Sequence, residues 1–189
     1  MARRQLDQIL VVDVESTCWD GQPPQGEESE IIEIGACLLN TANGERTEKT
    51  SILVRPERSR VSPFCTELTT LTQAQVDTGV SFAEACEQLK RQFRLNVRIW
   101  ASYGDYDRQM FDRQCKAFWI RYPFGKGHVN VKSLFALTCG LQREIGMSSA
   151  IEKLGLPLLG THHRGDDDAW NIAGILWRIL QSARAELLD

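Results

Sequence analysis

The feature that most constrains the fold is the stretch at residues 9–19, ILVVDVESTCW, where a buried-strand pattern carries two carboxylates. Ile9, Leu10, Val11, Val12 and Val14 are apolar and mostly β-branched, the composition of a central strand. Asp13 and Glu15 are two positions apart, so on an extended chain both side chains leave the same face. Two bare carboxylates at the end of a buried strand repel each other and lose hydration. Two readings fit. Either the strand stops at Val12 and both acids are solvated, or a divalent cation neutralises the pair. Hard oxygen ligands of this kind suit Mg²⁺ or Mn²⁺.

A chain of 189 residues is long enough for one domain with a substantial core. No linker, repeat or low-complexity tract divides it, so a single domain over residues 1–189 is expected. Hydrophobic residues at 42% and charged residues at 25% fit a soluble globular protein. No apolar run approaches a membrane span, and the start MARRQLDQ has no apolar signal core behind its arginines, so no membrane association is expected. The six scattered cysteines, with no C-x-x-C pair, indicate reduced thiols in the cytoplasm rather than a zinc site or a disulfide scaffold. A net charge of −3 argues against a large sequence-independent DNA-binding surface. It leaves room for a nucleic-acid enzyme, whose metal-binding acids themselves lower the net charge.

Residues 20–29 form a polar loop rich in Pro and Gly. Further strands are expected at 30–39, 47–54 and 97–102, with a short one at 128–131, and Asn43-Gly44 signals a hairpin. Ser81 with Glu84 forms a capping box opening a helix with Phe82, Ala85, Cys86, Leu89 and Phe93 on its apolar face. Other helices are expected at 106–122, with Met110, Phe111, Cys115, Phe118 and Trp119 facing inward, at 132–139, at 148–154, and from about 166 to 187. Hairpin-joined strands followed by alternating helices and strands imply an α/β fold, a mixed sheet flanked by helices.

Helical phase sorts the remaining acids. Counting from Asp107 along its helix reaches Phe111, Cys115 and Phe118, so Asp107 lies on the apolar stripe. Asp105 shares a face with Arg108, Gln109 and Asp112 and reads as an N-cap or surface acid. In HHRGDDDAWNIAGIL, Asp168 is in phase with Ile172, Ile175 and Ile179 and points inward. Asp167 points outward and Asp166 is intermediate; both suit the positive end of a helix macrodipole. An acid aimed into an apolar interior needs a partner, and a cation is a natural one. His163, five residues before Asp168, reaches back if Gly165 lets the loop turn tightly, and an imidazole can take a proton from water. Spacing alone does not separate His163 from His162. Tyr103 and Tyr106 are aromatics able to stack a base or to finish the core.

Together these residues resemble the DEDDh family of 3′–5′ exonucleases. The motif D-x-E-(S/T)-T is matched by Asp13, Glu15, Ser16 and Thr17; an aromatic followed by Asp near a strand end by Tyr106-Asp107; and H-x-(A/G)-x-x-D by His163, Gly165 and Asp168. The segment ELTTLTQAQVD at 67–77 resembles the family's E-L-T-G-I-T-x-x-x-V-D, with Thr70 in place of the usual glycine. The runs S-T-C, G-D-Y-D and D-D-A-W-N-I-A are most similar to the enhanced-RNA-interference (Eri) and KapD-like subgroup. The resemblance implies an RNase H-like fold with a five-stranded mixed β-sheet, here the nuclease module alone with no added nucleic-acid-binding domain. It implies two divalent cations, Mg²⁺ or Mn²⁺, held by Asp13, Glu15, Asp107 and Asp168, with His163 rather than His162 as general base. The substrate would be the 3′ end of single-stranded RNA or DNA, RNA being favoured, cut to nucleoside 5′-monophosphates. The main chain at Glu15, Ser16 and Thr17 would cradle the terminal nucleotide. Cys18, Trp19 and Tyr106 are apolar or aromatic candidates for contact with its base, Trp19 serving equally well as a cover for the core. A DNA proofreading or repair exonuclease of the same fold is the main rival reading, since the 2′-OH contacts that separate the two are not legible in the sequence. A non-catalytic nucleic-acid-binding module would be favoured by loss of any of the five polar residues, and all five are present.

Overall fold

A computed structural model describes residues 5–188. Residues 1–4 and Asp189, and with them the two arginines of the MARRQLDQ start, lie outside the described range. The chain order is β1 (Gln5–Ser16), β2 (Ile31–Asn40), β3 (Arg46–Leu53), α1 (Pro63–Thr69), α2 (Gln73–Val76), α3 (Phe82–Phe93), β4 (Arg98–Ser102), α4 (Tyr106–Ala117), β5 (His128–Asn130), α5 (Val131–Thr138), α6 (Met147–Lys153) and α7 (Gly165–Leu188). The five strands form one mixed sheet in the order β3-β2-β1-β4-β5. β1 pairs antiparallel with β2 and parallel with β4, which pairs parallel with β5. The mixed sheet and its helices are as the sequence predicts, with most strand ends shifted by a residue or so and β1 starting earlier than expected, at Gln5 rather than Ile9.

Strand alternation divides the core and places the site. Leu10, Val12 and Val14 point to one face, where they pack with Phe82, Leu89 and Phe93 of α3 and Phe111 of α4. Ile9 and Val11 point to the other, where Phe135, Ile151, Ile172 and Ile175 bring in α5, α6 and α7. Asp13 and Glu15 continue the odd-numbered series, so they face α7. The strand does not stop at Val12. It runs through both acids to Ser16, with backbone pairing to β2 throughout.

Ser81 caps α3 as its sequence predicts: its side chain accepts the Glu84 N–H while the Glu84 carboxylate accepts the Ser81 N–H at 3.0 Å. The helix expected at 106–122 is shorter, and Trp119, expected on its apolar side, is 96% exposed. The Ile120 N–H turns back to the Cys115 carbonyl at 2.8 Å, and Trp119 takes the left-handed φ of 57° that this closure requires. Ile120 and Tyr122 then supply the apolar contacts. Thr70 ends α1 at φ 64°, a left-handed conformation that is strained for a β-branched residue and that glycine would adopt freely.

Candidate active site

Three elements bring the acids together. β1 carries Asp13 and Glu15, the first turn of α4 carries Asp107, and the first turn of α7 carries Asp168. Carboxylate oxygens of Asp13, Glu15 and Asp168 lie within 4.8 Å of one another. Asp107 is locked to the same strand: its Oδ1 accepts the Val14 N–H at 3.0 Å, between the two strand acids, and it lines the same cavity. Glu15 is 7% exposed, and Asp107 and Asp168 are each 4% exposed.

Burial and mutual repulsion favour the protonated forms of these acids. Burial, then the Asp107 and Glu15 charges, holds the Asp13 carboxyl well above its ordinary range. Burial, followed by Asp168 and Glu33, pushes Glu15 up to about 8. Burial raises Asp107 to about 6 despite the Val14 hydrogen bond, and burial also raises Asp168. An all-oxygen donor set that resists ionisation when empty is chemically matched to hard divalent cations, which would offset the mutual repulsion.

The α7 N-terminus is held against the sheet by a backbone contact. A Cβ on Gly35 would fall 1.7 Å from the Gly165 carbonyl carbon, and one on Gly165 would meet the Gly35 nitrogen at 2.8 Å. Both positions must be glycine for the helix to approach this closely. This corrects the reading of Gly165 as the turn-maker. His163 itself takes the left-handed conformation, at φ 63°, and Gly165 opens the helix. Glu33, directly opposite Glu15 in the sheet register, fixes the same junction. It accepts hydrogen bonds from Arg164 Nη2 at 2.8 Å, Arg164 Nε at 3.2 Å, the Gly165 N–H at 2.8 Å and the Ser51 hydroxyl at 2.6 Å.

Both histidines are half-buried and line the cavity. Their rings stack with centroids 4.0 Å apart. The His163 N–H donates to Asp168 Oδ2 at 3.0 Å, and it is His162 Nδ1 that meets the Asp168 carboxylate, at 3.0 and 3.2 Å. Burial, then the neighbouring His162, holds the His163 imidazole below its usual value, so the ring is neutral near pH 7.

The cavity has a volume of about 320 Å³. Of the residues expected at the substrate, Ser16, Cys18 and Tyr106 line it; the Ser16 hydroxyl lies 2.6 Å from the Tyr106 hydroxyl, and Tyr106 is 53% exposed. Thr17 is fully buried outside it, its hydroxyl 2.9 Å from that of Ser59 and accepting the Glu30 N–H. Trp19 is half-buried and also lies outside the lining. Leu68, Tyr103, Met147 and His162 complete the wall. Of these, Leu68 could have been found from the ELTTLT segment. A larger hollow of about 580 Å³ opens between α4 and β5 beside Asp105 and Asp112. Those acids are already paired with Arg108 and Lys116, so that hollow lacks the uncompensated charge of the smaller one.

The described residues include no helix long and apolar enough to cross a membrane. Known proteins resemble this chain in sequence and fold. The chain is 33% identical over 186 residues to 3′-5′ exoribonuclease 1 of Homo sapiens, covering 93% of this chain and 53% of that protein; it thus spans about half the length of that relative. The nuclease domain of 3′hExo, a DEDDh family member bound to rAMP, superposes with a TM-score of 0.86 at 32% identity, covering 96% of this chain and 95% of that one. A structure of 3′-end specific recognition of histone mRNA stem-loop by 3′-exonuclease gives a TM-score of 0.85 at 32% identity, covering 95% and 65%. The five-stranded mixed sheet is therefore the RNase H-like fold of the DEDDh exonucleases. The exonuclease (RNase T) family pattern matches residues 10–176, and the chain belongs to that family.

Proposed function

We propose that the chain works as a single 3′–5′ exonuclease domain, hydrolysing the terminal phosphodiester of single-stranded RNA to release nucleoside 5′-monophosphates. The observation that carries this reading is the convergence of three carboxylates within 4.8 Å, with Asp107 and His163 on the same small cavity. A cavity of about 320 Å³ suits one nucleotide rather than a duplex, which favours attack at a chain end. RNA is the preferred substrate because the similar proteins include 3′-5′ exoribonuclease 1 and a nuclease domain bound to rAMP.

Asp13, Glu15, Asp107 and Asp168 would hold two divalent cations, Mg²⁺ or Mn²⁺. When bound, such ions acidify water and neutralise charge on the phosphoryl oxygens. The chain's own residues do the rest. The His163 imidazole, neutral near pH 7, accepts a proton from the attacking water, and the Asp168 carboxylate, gripped by the His163 N–H, fixes the backbone that carries the ring. Tyr106, held by Ser16, and Leu68 and Cys18 offer the surfaces against which a terminal base can lie. The main chain around Glu15 and Ser16 borders the cavity, whereas Thr17 acts from behind it by tying β1 to Glu30 and Ser59. Trp19 has no assigned substrate contact. The six cysteines are all free, which fits a reducing cytoplasmic setting.

Digestion of matched 5′-labelled single-stranded RNA and DNA with Mg²⁺, with Mn²⁺, and with EDTA tests the reading. The expected result is metal-dependent stepwise shortening from the 3′ end, faster for RNA and abolished by a 3′-terminal block. Internal cleavage of the blocked strand, or no cleavage with either cation, would overturn it.

A further inference from the structure

We propose that His162, His163 and Asp168 form a separate cation site beside the oxygen cluster, selective for a borderline-soft divalent ion such as Zn²⁺, whose occupancy inhibits the enzyme. One donor atom from each of the three residues lies within 4.8 Å of the others. Asp168 also belongs to the oxygen cluster with Asp13 and Glu15, so the two donor sets adjoin and share one carboxylate. Their chemistry differs. The first set is all oxygen and suits Mg²⁺ or Mn²⁺; the second offers two imidazoles and a carboxylate, a donor set characteristic of Zn²⁺ sites that keep an open position.

The spacing fits direct ligation. Two ligands bound to Zn²⁺ at about 2.0–2.1 Å in a tetrahedral sphere stand roughly 3.3 Å apart. His162 Nδ1 lies 3.0 and 3.2 Å from the two Asp168 oxygens. A cation can thus sit between this nitrogen and the Asp168 carboxylate, with the ring hydrogen on Nε2. The rings are stacked with an interplanar angle of 16°, so both must rotate modestly to converge on one ion. Neither ring is locked in the core: both are half-exposed at the cavity wall. The proposed hydrolysis requires one imidazole, and the second lies where it completes a nitrogen-rich ligand set. Zn²⁺ held there would occupy the nitrogen needed as base and divert Asp168 from the oxygen cluster.

Calorimetry of Zn²⁺ with the full chain tests the site in two backgrounds. In Asp13→Asn/Glu15→Gln, which dismantles the oxygen cluster, one Zn²⁺ should still bind. In His162→Gln, Zn²⁺ affinity should fall about a hundredfold, as expected for loss of a direct ligand. Co²⁺ gives an independent reading: the Asp13→Asn/Glu15→Gln chain should show the intense visible bands of tetrahedral Co²⁺ with nitrogen ligands, and the addition of His162→Gln should abolish them. Zn²⁺ binding lost in Asp13→Asn/Glu15→Gln but intact in His162→Gln would overturn the proposal, as would the absence of those bands. Should His162→Gln fail to fold, the Co²⁺ spectrum of the carboxylate variant alone decides the question. The inhibitory consequence rests on the exonuclease reading: in Mg²⁺-supported hydrolysis, the Zn²⁺ concentration for half-inhibition should rise by the same factor in His162→Gln. If the wild-type chain shows no Mg²⁺-dependent hydrolysis, the exonuclease reading fails, and calorimetry still judges the Zn²⁺ site.

Discussion

Glu15 and Glu33 are the same residue type, paired across neighbouring strands and pointing to the same face of the sheet, yet they are held in opposite states. Glu33 is wholly buried, but Arg164, Ser51 and the Gly165 N–H surround its oxygens. Burial by itself would push it upward; those hydrogen bonds outweigh burial and hold it below the ordinary range. Glu15 is 7% exposed and is pushed up to about 8 by burial, then by Asp168 and Glu33, with only the Arg164 charge opposing. The two differ in partners, not in depth. Glu33 has its full complement of donors from within the chain and serves the fold. Glu15 and its neighbours crowd together without one, which leaves them open to a cation from outside.

The sharpest way to break this contrast is to remove a member of the crowded carboxylate cluster. Asp13→Ala should lower hydrolysis by a factor on the order of 10³ or more, the scale of several kcal/mol of charge stabilisation. It should leave the fold intact and raise the melting temperature of the metal-free protein, because one of four crowded acids is gone. Single-turnover hydrolysis and thermal melts in EDTA check both halves; a fall in melting temperature would mean that the cluster supports the fold as Glu33 does.

The metal-free protein should also report the crowding through pH. Asp13, Glu15, Asp107 and Asp168 all have folded values raised above the ordinary carboxylate range. Between the unfolded value near 4.5 and the folded value of about 8 for Glu15, the folded state binds more protons than the unfolded one. Stability contributed this way is present below the lower value and is lost as the pH rises toward the upper one. The melting temperature in EDTA should therefore fall from pH 5 to pH 8, and Mg²⁺ should restore most of it at pH 8. An EDTA melting temperature that is flat or rises over that window would contradict the raised values.

Glu33→Ala sharpens the other side. It strands Arg164 and loosens the α7 junction, so the chain should lose about 3 kcal/mol of stability with or without metal, the cost of breaking a buried ion pair. Urea unfolding with and without Mg²⁺ measures it; a loss seen only with Mg²⁺ would move Glu33 into the cation cluster. His163→Ala should instead leave stability nearly unchanged and slow turnover roughly a hundredfold, the usual effect of a lost general base, with His162→Ala slowing it much less.

How much of this was legible in the sequence follows the same division. Asp107 and Asp168 were readable because each is in phase with an apolar helical stripe, and Asp13 and Glu15 because they interrupt a β-branched run. Glu33 lies in an equally apolar strand, but its partners are Ser51 on the next strand and Arg164 more than a hundred residues on. Nothing local marks an acid as satisfied when its donors arrive through tertiary packing. The Gly35–Gly165 contact was hidden for the same reason: each glycine looks like a local device, and the need for both appears only where backbones meet. Trp119 differs for another reason: the helical phase that would bury it ends where the Ile120 N–H closes the helix onto Cys115. Local periodicity finds which residues face inward; it does not reveal where an element stops or what completes a buried charge.

The smallest effect is the most discriminating test of partner number as the cause. Ser51→Ala removes one of the Glu33 donors, a hydroxyl at 2.6 Å, from an exposed position on β3. Arg164 and the Gly165 N–H remain, so the carboxylate is still ionised and still paired. The expected loss is about 1 kcal/mol, the net worth of a single hydrogen bond, with the rate of hydrolysis changed by less than about twofold. If Glu33 owed its state to one dominant partner, Ser51→Ala would cost nothing measurable. If it stood as near its limit as Glu15 does, losing one donor of several would raise its proton affinity enough to mimic Glu33→Ala, and urea unfolding at pH 7 separates these outcomes.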